Sequence, residues 1–265
     1  MPSGMIEKYR HPFWIVGGGG MRNNRKKARY EFSRGEKSGL YKAILKRRDV
    51  RGQFEPHPIP DSILARILNA AHHAGSVGFM QPWNFILIKD EQVKRQVKAV
   101  FEKANTAAAQ LYEEPLRSKY LSMKLEGVLE APLNICVTCD PTRGGPHVLG
   151  RHTIPQTDIY STCCAIQNLW LAARAEGIGV GWVSILRNED LQTILKIPPH
   201  IIPVAYLCLG YVTRFLEKPE LELAGWRERE SLPRLVYYEQ WGNNANVEWK
   251  ALDLRLRRRV QKIKD

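Results

Sequence analysis

The chain has 265 residues, 44% of them apolar, and its 40 Lys and Arg against 27 Asp and Glu give a net charge of +13. That length and apolar content predict one globular domain with extensions. No apolar run reaches the about 18 residues that a membrane span needs, and no apolar segment with a cleavage site opens the sequence, so the expectation is a cytoplasmic protein without membrane contact.

The basic charge is concentrated at the two ends. Residues 1–40 hold nine Lys and Arg against three Glu, a net +6; residues 250–265 hold seven against two Asp, a net +5, which leaves +2 on the body. A nucleic-acid-binding domain carries its basic patch on the folded body with aromatics interleaved, so no specific nucleic acid is expected. Residues 1–38, with Gly17–Gly20 and a basic run from Arg22 to Lys27, read as a mostly disordered basic extension. Residues 39–243 read as the folded body and 244–265 as a basic C-terminal helix or tail.

Within the body, Ser38 is a candidate cap for a short helix beginning near Leu40, and three prolines keep Gln53–Pro60 extended. Asp61 is expected to cap a helix carrying Ile63, Leu64, Ile67, Leu68 and Ala71. A long connection, Ala74–Asn84, then leads to a strand, Phe85–Ile88. Asp90 caps a helix with apolar positions Val93, Val97, Val100, Phe101 and Ala104; a further helix holds Tyr120, Met123 and Leu125. Leu133–Cys139 reads as a buried strand, and Gln156–Glu176 as a long helix that is apolar on most faces. Strand Val180–Ile185, a short helix from an Asn188 cap to Lys196 and strand Ile202–Val212 follow. This irregular alternation favours an α+β fold with a mixed central sheet flanked by helices. Trp249, Leu252, Leu256, Val260 and Ile263 keep helical spacing near the end.

Two stretches carry chemistry. Arg47, Arg48 and Arg51 place three guanidinium groups around Asp49, and arginine is the planar donor that grips phosphate through paired hydrogen bonds. On an exposed helix end the same arginines are solvated charge compatible with the helix dipole. Ser76-Val77-Gly78-Phe79-Met80-Gln81-Pro82-Trp83-Asn84 combines glycine, whose backbone can approach a ligand closely, with aromatics suited to a heteroaromatic ring. A well-packed loop is the plainer account of it.

An Arg-Arg-x-x-Arg cluster followed by Ser-x-Gly-x-x-Gln-Pro-Trp-x-Phe resembles the flavin frame of the nitroreductase superfamily. Asp49 stands where that frame usually has serine, and Phe79 where it has asparagine. Arg48-Asp49-Val50-Arg51, Lys124–Gly127, Glu130–Asn134, Arg143–Pro146 and Gly179–Ser184 are together similar to the 5,6-dimethylbenzimidazole synthase (BluB) branch, from about residue 40 to about 240. The resemblance implies a nitroreductase-like fold and oxygen-dependent fragmentation of reduced FMN to 5,6-dimethylbenzimidazole, the lower ligand of vitamin B12, and D-erythrose 4-phosphate. FMNH2 is then a substrate, O2 a co-substrate, and no metal is involved. It implies FMN contacts at Arg47, Arg48, Asp49, Val50, Arg51, Ser76, Gly78, Gln81, Pro82, Trp83, Asn84, Gly181, Ser184 and, near the C-terminal arm, Arg229. Asp49 shuttles protons near the ribityl chain or merely orients an arginine, and Ser184 lies by the flavin ring. The region of residues 90–125 corresponds to an insertion over the flavin, either a lid or two surface helices. The site is expected at a homodimer interface containing the 156–176 helix. No Gly-x-Gly-x-x-Gly links a strand to a helix, so a separate flavin reductase is the expected source of FMNH2. The alternative is an FMN-dependent NAD(P)H nitroreductase; a more distant one is a flavin-independent protein binding nucleic acid through its tails.

The five cysteines read as reduced, buried apolar thiols. Cys136-x-x-Cys139 sits on a strand, where residues three apart point to opposite faces, unlike a redox pair at a helix start. His72 and His73 are helix neighbours that cannot share a metal from one face.

Overall fold

The structure, a computed structural model, describes residues 30–261 and the side chains to residue 257. Of the expected disordered extension, residues 1–38, residues 1–29 lie outside that range, as does the helical position Ile263, whereas residues 34–38 are helical and correct that expectation. The chain divides into two units, Met1–Ser38 and Gly39–Asp265.

Four strands, β1 (Trp83–Ile88), β2 (Leu133–Cys139), β3 (Gly179–Val183) and β4 (Ile202–Gly210), form one sheet in the order β1-β2-β4-β3. All pair antiparallel, with Phe85 opposite Val137, Ile135 opposite Leu207 and Val180 opposite Leu209. The expected mixed sheet is therefore an antiparallel ladder whose parallel component is one isolated bridge, Asp49 to Val180. β2 is buried at every position, as a near-continuous apolar run requires when both faces of a sheet are covered. Its two polar side chains make hydrogen bonds: Asn134 donates to Val128 O and Tyr206 Oη, leaving its Oδ1 without a partner, and Thr138 Oγ1 accepts from Asn84.

Alternate residues of β2 and β4 point to different layers. Leu133, Ile135, Val137, Ala205, Leu207 and Leu209 pack against Ile67 and Ala71 of α2 (Asp61–His72) and Ala165, Ile166 and Leu169 of α5 (Thr157–Ala175). Cys136, Tyr206 and Cys208 face Val97 and Phe101 of α3 (Glu91–Ala109) and Leu191 of α6 (Asn188–Leu195). The body is three layers, helices on both sides of the sheet, with each fully buried Leu or Ile contributing about 1.5–3 kcal/mol.

Several helix starts differ from expectation. α1 (Arg34–Lys46) begins four residues before Ser38, because Ser33 and Glu36 form a reciprocal box: Glu36 N–H donates to Ser33 Oγ (3.3 Å) and Ser33 N–H to Glu36 Oε2 (2.7 Å). Asp61 and Asn188 are the first residues inside their helices, behind Pro60 and Arg187 at the cap positions, and neither cap makes a side-chain bond. Asp90 does cap α3, accepting from the N–H groups of Gln92 and Val93. α4 (Leu116–Ser122) stops before Met123 and Leu125, β3 stops at Val183 and β4 at Gly210. The thiols also divide. Cys136, Cys139 and Cys208 are buried, but Cys163 and Cys164 lie on the exposed face of α5, correcting the expectation that all were covered. α7 (Lys250–Gln261) carries the expected C-terminal helical pattern. Among the described residues no helix is long and apolar enough to cross a membrane.

Candidate active site

Past the end of α1 the chain lies along the free edge of β3. Val50 N–H donates to Val180 O at 3.1 Å, and Trp182 N–H donates to Asp49 Oδ1 at 2.9 Å. This approach requires Gly181, since a Cβ there would stand 2.0 Å from Val50 O. Arg51 Nε donates to Asp49 Oδ2 at 2.9 Å, and Arg51 Nη1 to Lys124 O at 3.0 Å. Both oxygens of Asp49 thus hold a donor, so orienting Arg51 is part of its job. Its side chain keeps 29% exposure, enough to reach a ligand as well.

The arginines converge beside it. The Arg47 guanidinium lies 4.6 Å from the centre of the Trp170 ring. Arg48 Nη1 donates to the carbonyls of Leu45 (3.0 Å) and Arg47 (2.6 Å), and Nη2 to Glu217 O. Its Nε is buried without a partner. Burial lowers the pKa of Arg47, opposed by Asp49 and assisted by Arg229. Burial lowers that of Arg48 too, followed by the fields of Arg47, Arg229 and Arg174. Arg47 and Arg48, each depressed by burial and by neighbouring guanidinium charge, and one of them with an orphaned N–H, fit an anion with several oxygens, which is what a phosphate monoester offers. Arg174 and Trp170, both on α5, are the members that sequence reasoning missed.

The second group of expected residues forms a separate construction. Ser76 Oγ accepts from Gln81 N–H at 2.8 Å, closing a loop in which Gly78, Phe79 and Gln81 have φ of 57°, 53° and 47°. Two non-glycine residues in the left-handed region mark stored strain, which concentrates at working sites. A Cβ at Gly78 would meet Val148 Cγ1 at 2.5 Å and Leu149 O at 2.7 Å. Arg143 clamps the exit of the loop, donating to Gln81 O (3.0 Å), Trp83 O (3.0 Å) and Asn84 Oδ1 (2.5 Å). Pro82 and Trp83 are buried, with the indole N–H donating to His72 Nδ1 at 3.2 Å, so Trp83 presents no face to a ligand. Phe79 is 82% exposed and does.

Ser184 lies just past β3, exposed, at a cavity of about 190 Å³ lined also by Trp182, Asn188, Pro203 and Tyr206. Two steps along the chain separate it from Trp182, whose N–H holds Asp49, about 6.6 Å. One chain therefore assembles Arg47, Arg48, Asp49, Val50, Arg51 and Gly181 along the β3 edge, with Ser184 just past it and an exposed Arg229 close enough for its charge to bear on Arg47 and Arg48. Ser76, Gly78, Gln81, Pro82, Trp83 and Asn84 lie at the β1 edge, across a sheet ordered β1-β2-β4-β3. Three ladder spacings, about 14 Å, part the two groups. Between α4 and the arm that leads to Arg229, Tyr112 and Tyr120 pack on Trp226, and Lys119 Nζ donates to Gly225 O at 2.5 Å. Among the described residues no cluster of three His, Cys, Asp or Glu groups is placed to hold a metal ion.

Residues 44–211 match the Nitroreductase family. A 5,6-dimethylbenzimidazole synthase of Rhodospirillum rubrum is 42% identical over 197 residues, covering 74% of this chain and 93% of that protein. Another of the same name from Rhodobacter capsulatus is 37% identical and 95% covered. The fold is similar to that of an iodotyrosine deiodinase bound to FMN and 3-iodo-L-tyrosine, with a TM-score of 0.60, 21% identity, and coverage of 76% of this chain and 100% of that one. It is also similar to that of a BluB-like flavoprotein from Clostridium difficile, with a TM-score of 0.56, 19% identity and coverage of 76% and 99%. Carrying an arginine cluster with a carboxylate set on the edge of β3, the chain belongs to the nitroreductase family and, within it, to that of the 5,6-dimethylbenzimidazole synthases.

Proposed function

We propose that this chain fragments reduced FMN with oxygen to 5,6-dimethylbenzimidazole and D-erythrose 4-phosphate. The observation that carries this over a conventional NAD(P)H nitroreductase is Asp49, a carboxylate fixed by Trp182 N–H and Arg51 inside the guanidinium cluster. A carboxylate repels phosphate, so its presence beside a phosphate grip calls for chemistry of its own. Reduced FMN supplies the electrons and the ring that is broken; O2 is the oxidant.

Arg47, Arg48 and Arg229 hold the phosphate, and the Nε of Arg48, which has no partner in the protein, is a donor left for it. That end-point sets the ribityl chain over Asp49, which takes a proton there as a general base, an aid worth about 10²–10⁴ in rate. Ser184 offers its hydroxyl to the ring. The Ser76–Asn84 loop comes from a second copy of the chain, because the two edges of one sheet stand too far apart to share a ring. The active species is accordingly a homodimer with α5 in its interface. A separate flavin reductase supplies FMNH2. The site acts in the cytoplasm.

The test is anaerobic mixing with photoreduced FMN, admission of oxygen, and chromatography for dimethylbenzimidazole, beside Asp49→Asn. Product from the parent chain and at least a hundredfold less from the variant, with FMN still bound, is the expected result. Reoxidation to intact FMN by the parent would sink the proposal and favour the reductase.

A further inference from the structure

We propose that Trp170 and Arg174 are positioning residues that set the site's preference for phosphorylated over unphosphorylated flavin. The inference rests on the reading that the Arg47–Arg48 cluster receives the phosphate.

The segment Lys46–Arg48 leaves α1 with its last carbonyls lacking helical partners. Two side chains of α5, one turn apart and so on one face, take them up. Arg174 Nε donates to Lys46 O at 3.1 Å, and Trp170 Nε1 to Arg48 O at 3.4 Å. These are contacts between residues more than 120 positions apart in sequence. The rings then fix direction. The guanidinium carbon of Arg47 lies 4.6 Å from the centre of the Trp170 ring, and that of Arg174 3.9 Å from the centre of the Phe215 ring. A guanidinium held over a ring by its charge spends none of its five N–H donors on that contact. Trp170 therefore orients the Arg47 fork without consuming it. Arg174 adds its charge to the field at Arg48, so an anion arriving there is met by one more cation. Trp170 also lies 6.4 Å from Trp182, whose N–H holds Asp49, so the same helix face backs both the phosphate grip and the carboxylate. None of these contacts involves Ser184 or the Ser76–Asn84 loop, which face the ring. Loosening the pair should weaken recognition of phosphate and leave ring recognition alone.

The experiment titrates oxidised FMN and riboflavin by flavin-fluorescence quenching into the full chain, W170F, R174M and R174K. The parent should prefer FMN. W170F and R174M should lose about tenfold in FMN affinity, the scale of one hydrogen bond with its ring contact, and change riboflavin affinity by less than about twofold. R174K keeps the charge without the planar fork, so about threefold is expected for FMN. Thermal melts identify any variant that fails to fold, and R174K is the mild change that keeps the comparison decisive. Folded variants that retain the parent's FMN-to-riboflavin ratio, or weaken both flavins alike, overturn the inference while the phosphate reading stands. A parent that binds the two flavins equally removes the phosphate reading itself, and this inference with it.

Discussion

Gly181→Ala tests whether the edge of β3 is what holds the carboxylate in place. An added Cβ would stand 2.0 Å from Val50 O and 3.2 Å from Val50 C, both backbone atoms that cannot rotate away. Relief needs a shift on the order of 1 Å between β3 and the Asp49–Val50 segment, an overpacking that costs about 1–3 kcal/mol. The shift also breaks the flanking bonds, Val50 N–H to Val180 O and Trp182 N–H to Asp49 Oδ1. The first is worth about 1 kcal/mol and the second, to a charged acceptor, about 1.5–3 kcal/mol. With partial relaxation the expected loss is about 3–5 kcal/mol, which lowers the melting temperature on the order of 10 °C for a chain of this size. Calorimetry or a thermal melt reads this, with Gly75→Ala as control, since an added Cβ there meets nothing within 4 Å. Because Asp49 moves with the edge, product formation should fall further than the unfolded fraction explains. A G181A chain that melts within about 2 °C of the parent, with its activity intact, would refute the reasoning.

Other expectations follow from buried charge, the loop clamp and the thiols. Glu126 is buried; desolvation pushes its pKa up, but hydrogen bonds from Lys98 (2.9 Å) and Val128 N–H (2.7 Å), with Lys124 beside them, outweigh that and hold it below the ordinary value. A depressed carboxylate contributes its full stabilisation above an unfolded pKa of about 4.3 and loses it as pH falls through the folded value. Glu126→Gln should therefore cost about 2–4 kcal/mol at pH 7 and flatten the acid limb of urea midpoints measured down to about pH 3. Arg143→Ala removes three bonds from the loop exit, and limited proteolysis should cut between residues 76 and 84 in the variant but not the parent; R143K should not rescue, because one ammonium cannot span the three acceptors. Burial pushes the Cys136 thiol up to about 12 and Cys139 to about 11, so both should resist maleimide in the folded chain, along with buried Cys208. Cys163 and Cys164 should react in dilute monomer and be protected at concentrations where light scattering gives a dimer; equal labelling in both states would remove α5 from the interface.

How much of this was legible depended on whether a residue's environment is set locally. β2 has the bounds that its apolar run suggests, Leu133–Cys139, because both faces are covered and nothing polar interrupts the signal except two hydrogen-bonded side chains. Ser38 misled because the true start lies in a reciprocal signal, Ser33-x-x-Glu36, just upstream. α5 defeated residue-type reasoning. It buries Thr157, Asp158, Ser161 and Thr162 and exposes Tyr160, Cys163 and Cys164, so its phase is inverted against hydrophobicity at its first two turns. The arginine cluster was readable where it is contiguous, at Arg47–Arg51. Arg174 and Trp170 join it from more than 120 residues away, with no periodicity or motif to announce them. Arg143 did carry a signal in Arg143–Pro146, though its job of closing the Gln81–Asn84 exit appears only in three dimensions.

The placement of the two residue groups on opposite edges of one sheet has a kinetic consequence. If each ring is gripped by one copy and covered by another, the catalyst is a pair, and its abundance falls with the square of concentration once dilution outruns association. Defects then become separable by inheritance. A copy altered at Asp49 still carries a sound Ser76–Asn84 loop, and a copy altered at Gly78 still carries a sound arginine cluster. Mixed together, two inactive preparations should regain activity, since one of the two sites in every hybrid pair draws both of its halves from undamaged sequence.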